Sequence, residues 1–299
     1  MLHPRFIIAF LCATLATAAP VFSQGDDSAP RMEEMRKLAN GLHYKKGTVS
    51  LKSGLANIKV PEEFRFLDAN DAQTMVSKIW GNPPDDSVLG LLLPANVGPL
   101  DPNSWAVIIS YEEEGYVKDD EAAKINYNDL LKQMQKGAEE ANEERQKQGY
   151  PTVQLVGWAK QPRYDHDTHK LYWAKELKFQ GADTNTLNYN IRMLGRRGVL
   201  VLNAVSEMDR LPEIEQATPA ILQMVDFQEG HRYTDFNPST DKVATYGLAA
   251  LIAGGVLAKA GFFKVLIPAI LAAKKFVIIG LVALVSFVKR IFGGGRERT

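Results

Sequence analysis

Cysteine is nearly absent from this 299-residue chain, Cys12 being the only one. It falls in an N-terminal stretch with the features of a secretory signal. Arg5 supplies the leading charge, residues 6–15 are apolar, and Ala16 and Ala18 are small residues at the positions a signal peptidase reads. Cleavage after Ala18 is expected, the alternative being a retained anchor. Leu11, ahead of Cys12, lacks the small side chain of a lipid-attachment site. The mature chain then carries no cysteine, which excludes disulfides, thiolate metal sites and a cysteine nucleophile.

Catalytic signatures are missing as well. There is no Gly-rich phosphate loop ending in Lys-Ser/Thr, no dinucleotide fingerprint, no G-x-S-x-G and no H-E-x-x-H. Nothing in the spacing of serines and carboxylates replaces them, and no cofactor is implied. Net charge is absent too, since 35 Lys and Arg balance 35 Asp and Glu. That balance hides a split. Residues 19–242 hold 26 Lys and Arg against 34 Asp and Glu, whereas residues 243–299 hold 8 against 1. An acidic body repels a phosphate backbone, which argues against nucleic acid as a partner. A basic, apolar tail points to membrane lipid.

What is present begins with that tail. Residues 246–263 are apolar apart from Lys259, which can snorkel from near a helix end. A transmembrane helix is expected over 243–263. Ala249, Ala250, Ala253, Gly254 and Gly255 would let a second helix, or a second copy of the chain, approach closely. A second apolar segment over 264–292 has its core at 276–288, short for a span. If it lies along the inner surface, Lys264, Lys275 and Lys289 fall within about 40° of one another on a continuous helix. Every later cation, Lys274 and Arg290 included, then lies inside. If it crosses back, Lys289 and Arg290 lie outside, against that rule. Both topologies stand. Residues 293–299 form a basic tail. The expected product is a periplasmic domain anchored by its C-terminus in a bacterial inner membrane.

The body reads as α+β, mostly antiparallel, with two to three packing helices over 46–240. Residues 19–45 are a linker and short helix. "GTVSL" and "LANIKV" alternate around Ser53-Gly54 as a hairpin. "LDANDAQTMVSKIWG" is a helix that Asp68 can cap. "VLGLLL" and "WAVIISY" are continuous apolar runs, hence strands buried on both faces. "EEEGYVKDDEAAK" reads as a solvated acidic loop. A long helix covers about 128–148. A meander comes next, in which Leu171, Trp173, Leu177 and Phe179 share one face of a strand and Leu187, Tyr189, Ile191 and Met193 share one face of its neighbour. The last helix, about 212–225, is expected to break before Pro219.

The stretch "YDHDTHKLYWAKEL" carries the one motif with metal-ligand residue types. His166 and His169 lie between two strands, with Asp165 and Asp167 beside them. A spacing of three gathers ligands on a helix and scatters them on a strand, while a turn permits either. Asp and Thr favour turns on backbone grounds alone. A decorated hairpin is the leading reading, and a metal site using His166, His169 and Asp165 is the alternative.

"GYVKDDEAAKINYNDLL", "GYPTVQLVGWAKQPRYDHDTHKLYWAKEL", "NYNIRMLGRRGVLVLNAV" and "YGLAALIAGGVLAKAG" together resemble the bacterial membrane-anchored proteins grouped as domain of unknown function 2167. The resemblance runs from about residue 45 to about 290. It implies the anchored architecture and supplies no catalytic residues. The meander and closing helix also look like a PsbP-type α+β sandwich, a binding and assembly fold. The function expected is a non-enzymatic binding or assembly module of the cell envelope with an envelope protein partner. A metal-dependent envelope protein is the alternative.

Overall fold

Alternation of apolar and polar residues sets the strands, and each helix begins where a cap or an apolar stripe requires it. In the computed structural model, α1 (Ser28–Asn40) leads to β1 (Tyr44–Lys45) and to the hairpin of β2 (Gly47–Leu51) and β3 (Ala56–Val60). β4 (Phe64–Asp68) runs into α2 (Ala69–Gln73), which continues as a π-helical turn over Thr74–Ile79. Asp68 caps α2 as expected, accepting from the Asn70 and Asp71 N–H groups at 3.1 and 3.3 Å. Next come β5 (Val88–Pro94), β6 (Ala106–Glu112) and α3 (Tyr127–Lys147). β7 (Val153–Asp165), β8 (Lys170–Phe179), β9 (Thr186–Leu194) and β10 (Val199–Glu207) form the meander. α4 (Leu211–Met224), β11 (Val225–Phe227) and α5 (Leu248–Ala253) close the chain. The structure describes residues 28–254 except 81, 83, 102, 103 and 148.

Eight strands pair antiparallel in the order β1-β4-β5-β6-β10-β9-β8-β7, and three more in the order β11-β3-β2. This is the α+β, mostly antiparallel architecture expected. The small sheet and α4 cover one face of the large sheet. Ile58, Phe66, Leu92, Ile109, Tyr189, Leu202, Ile214 and Val225 meet there in one core. On the other face, α1, α2 and the π-turn pack Met35, Met75 and Ile79 against Leu67, Leu91 and Leu93. Farther along that second face α3 lies on β7 and also meets α5.

Three elements depart from expectation. α4 runs unbroken through Pro219. Proline forfeits one backbone bond, but Ile214, Ile221 and Met224 are held in the core, and the Thr218 hydroxyl donates to the Ile214 carbonyl at 2.7 Å. The acidic loop is only partly solvated. Val117 is buried, and Asp119 and Glu121 are bonded into the fold. Finally, the folded unit does not stop near residue 240. Tyr116 bridges to Val243 in parallel, and α5 buries Leu248, Leu251 and Ile252.

Among the described residues no helix is long and apolar enough to cross a membrane. The signal at 1–18, residues 255–263 of the expected span, the segment 264–292, the basic tail, and Lys259, Lys264, Lys274, Lys275, Lys289 and Arg290 lie outside the described residues.

Candidate functional site

The tip of the β7–β8 hairpin is where the chain gathers polar and aromatic groups from distant segments. Its turn is built by Asp165, whose Oδ1 accepts the Asp167 and Thr168 N–H groups at 3.0 and 3.3 Å. Bonding to Thr168 and the turn amides lowers the Asp165 pKa. His169 takes the left-handed backbone at φ +51°, and its carbonyl accepts the Leu194 N–H, tying the turn to the end of β9. The short polar side chain of His tolerates that conformation better than a β-branched residue would.

The carboxylate facing both histidines comes from the loop after β6. Asp119 Oδ2 lies 3.6 Å from His166 Nε2 and 3.8 Å from His169 Nδ1. It also accepts the Tyr164 hydroxyl at 2.7 Å, while Asp119 Oδ1 accepts the Tyr233 hydroxyl at 3.0 Å. Tyr164 Oη sits 3.2 Å from His169 Nδ1 as well. His169, Tyr233, Tyr116 and Phe236 stack as a column, with successive ring centroids 4.2, 4.4 and 3.9 Å apart. His166 stands outside the column, its side chain largely exposed.

The electrostatics favour a clasp over a proton-transfer site. Burial pushes the Asp119 carboxyl up, but the two tyrosine hydroxyls outweigh it and hold the pKa below the usual range. Burial, with bonding inside the cluster as the next cause, raises Tyr164 and Tyr233. Burial lowers His169, against the opposing pull of Asp119. A general acid or base is tuned toward the working pH. Here the carboxylate and both phenols are tuned away from neutrality. Among the described residues no three His, Cys, Asp or Glu side chains form a group that could hold a metal ion. Asp165 is committed to its turn, and Asp119 to two phenols.

The same loop reaches α5. Glu121 Oε1 accepts the Ala249 N–H at 3.1 Å, satisfying one of the free donors at a helix start. Gly247 makes room for this, because a Cβ there would lie 2.4 Å from Glu121 Oε1. Lys118, Asp120, Glu121, Thr245, Tyr246 and Gly247 line an open cavity of about 280 Å³ at this junction. Arg196, in the β9–β10 turn, is paired within the domain. Its Nε bonds Asp241 Oδ2 at 2.6 Å.

The sequence placed His166, His169 and Asp165 together at the tip, but it carried no signal for Asp119, Tyr164 or Tyr233 as their neighbours. Asp119 is 45 residues from Tyr164 and 114 from Tyr233, so only the fold joins them.

An antiparallel α+β domain whose acidic loop is clasped into a hairpin tip and a short helix is a class defined by architecture. Residues 43–285 match the family described as Protein of unknown function (DUF2167), and the chain belongs to that family. No match was found among curated protein sequences. Among solved structures, the chain is similar to the cyanobacterial PsbP protein (CyanoP) of Synechocystis sp. PCC 6803. The identity is 12%, covering 60% of this chain and 91% of that one, with a TM-score of 0.34. It is similar to the Ran-binding protein Mog1p of Saccharomyces cerevisiae at 10% identity over 66% of this chain and 100% of that one, with a TM-score of 0.35. It is also similar to LpqN, involved in cell envelope biogenesis of Mycobacterium tuberculosis, at 14% identity over 64% and 96%, with a TM-score of 0.30.

Proposed function

We propose that this chain is an exported, non-enzymatic binding module of the bacterial cell envelope, held at the inner membrane by its C-terminal apolar segment. One observation carries the reading. The apolar sequence begins inside the fold, as α5, with Leu248, Leu251 and Ile252 buried and Glu121 bonded to its start. The start of the apolar run therefore belongs to the domain itself, which suits a module displayed close to a membrane. The clasp adds support, since its carboxylate and phenols are tuned away from proton transfer. The small sheet packed with α4 over the large one is read as a PsbP-type sandwich; that analogy concerns architecture and supplies no activity.

Truncation and fractionation test this. The full chain goes to the inner-membrane fraction. A chain ending at Gly254 folds and is released to the periplasm. A chain ending at Lys242 is degraded, because each lost apolar side chain of α5 removes about 1.5–3 kcal/mol of burial. Retention of the Gly254-terminated chain in the membrane contradicts the reading. The partner is then sought by crosslinking the full chain and identifying what co-purifies.

A metal-binding use of the hairpin tip is the second reading. Its one support is the approach of His166 and His169 to one oxygen of Asp119, although these side chains do not form a metal-holding group as they stand. It requires stoichiometric metal in the purified protein, lost in the variant His166→Ala/His169→Ala. A metal-free, fully folded protein rules it out.

A further inference from the structure

The second face of the large sheet carries a buried polar strip that the clasp does not use. Strand register places Lys175 opposite Asn188 and Trp173 opposite Asn190 across β8 and β9, with Arg192 two residues farther on. Asn203 on β10 lies opposite Asn190. Lys175, Asn188, Asn190, Arg192 and Asn203 are 8, 3, 0, 4 and 5% exposed. The amides bond one another. Asn190 Nδ2 donates to Asn188 Oδ1 at 2.8 Å, and Asn188 Nδ2 donates to Asn203 Oδ1 at 3.0 Å.

The cations have no such partners. Lys175 Nζ makes no hydrogen bond or ion pair among the described residues. Arg192 donates once, at 3.3 Å, to the carbonyl of its own neighbour Ile191, and its Nε is buried without a partner. Its guanidinium lies 5.2 Å from the centre of the Trp173 ring, whose Nε1–H is likewise buried and unpaired. Glu112 on β6 acts on Arg192 through space but forms no ion pair with it. Two buried cations thus share this face: Glu112 acts on Arg192, whereas Lys175 feels the repulsion of Arg192.

An isolated buried charge costs several kcal/mol unless it is paired and hydrogen-bonded. Here an ammonium, a guanidinium and an indole N–H share one buried face, and the long Arg192 bond to Ile191 is the one acceptance they receive among the described residues. All three stand on the paired strands β8 and β9. Several donors with two positive charges suit a tetrahedral oxyanion, which offers an acceptor to each. Tyr246, which lines the open cavity of about 280 Å³, acts electrostatically on Arg192.

We propose that Lys175, Arg192 and the Trp173 indole form a binding site for a phosphate group on the buried face of the sheet. The phosphate is either free or the headgroup of an anionic lipid.

The test uses the full chain in nonionic detergent. Its thermal midpoint is followed against inorganic phosphate, and separately against short-chain phosphatidic acid, each compared with chloride at equal ionic strength. The proposal expects a rise with at least one probe. Lys175→Met and Arg192→Met each weaken the apparent affinity by about tenfold to a hundredfold, the worth of a charge-assisted hydrogen bond. Exposed Lys178→Met leaves it unchanged. A rise with inorganic phosphate assigns the site to free phosphate, and a rise with phosphatidic acid alone assigns it to a lipid headgroup. Should a variant fail to fold, the wild-type chain answers by itself. The effective probe slows acylation of Lys175, read by mass spectrometry, by about tenfold relative to Lys178. No rise with either probe overturns the proposal, as does an equal rise in both folded variants. Unprotected Lys175 overturns it as well.

Discussion

Replacing Lys175 with methionine should stabilise the protein, and the gain should depend on pH in a defined way. Burial, with repulsion from Arg192 as the lesser cause, brings the Lys175 ammonium from 10.5 down to about 7. In the unfolded chain this lysine keeps its ordinary affinity for a proton. Between about pH 7 and 10.5 the unfolded state binds more protons than the native state, so stability rises with pH across that window. Below it the native state must bury a charged ammonium, at a cost of about 5 kcal/mol. At pH 9 the remaining cost is about 2 kcal/mol. Methionine fills a similar volume without the charge. Its stabilising effect should therefore be larger at pH 6 than at pH 9 by about 3 kcal/mol. Urea unfolding of the full chain in phosphate-free buffer and detergent, monitored by tryptophan fluorescence, reads this difference. Equal effects at the two pH values, or destabilisation greater at pH 6, would refute the claim that Lys175 is buried without a counter-charge.

Asp119→Asn removes a charged acceptor from two phenols and should cost about 1.5–3 kcal/mol at pH 7. The Asp119 carboxyl is held below its ordinary pKa, so its contribution is present above that ordinary value and lost as pH falls through the folded one. The variant and the parent should therefore converge in thermal melts once the pH is acid enough to protonate the Asp119 carboxyl in the folded protein. Gly247→Ala pushes a methyl group toward the Glu121 carboxylate, which is flexible and moves aside. The expected result is a loss of about 1 kcal/mol, the worth of a helix cap. It should come with faster amide exchange across residues 248–253 and an otherwise unchanged exchange pattern.

Local pattern carried much of the fold into view, and long-range partnership hid the rest. The β2–β3 hairpin, the cap at Asp68, the buried pair β5 and β6 and the four-stranded meander arise from alternation, continuous apolar runs and capping, which are properties of neighbouring residues. The run 113–125 looks solvated because charge dominates its composition. Tyr164, Tyr233 and Ala249 take up Asp119 and Glu121 only after folding. The polar strip was half legible. Asn188, Asn190 and Arg192 alternate with Leu187, Tyr189 and Ile191, which alone suggests a solvent face. Leu171 and Trp173, opposite Arg192 and Asn190 in the register, already marked that face as covered. Pro219 misled for the opposite reason, since core packing of Ile214 and Ile221 overrides a local preference. The apolar run at the C-terminus reads as one block, and composition cannot separate the short helix that belongs to the fold from the rest of the run.

The central claim, that this domain is displayed outside the cytoplasm, is tested most directly by labelling from outside. Tyr150, between α3 and β7, is 41% exposed, and the only native cysteine, Cys12, falls in the expected signal. The variant Tyr150→Cys is treated in intact spheroplasts with a membrane-impermeant maleimide. The account predicts full labelling before lysis and no further gain after it. Labelling that appears only once the membrane is broken would contradict it.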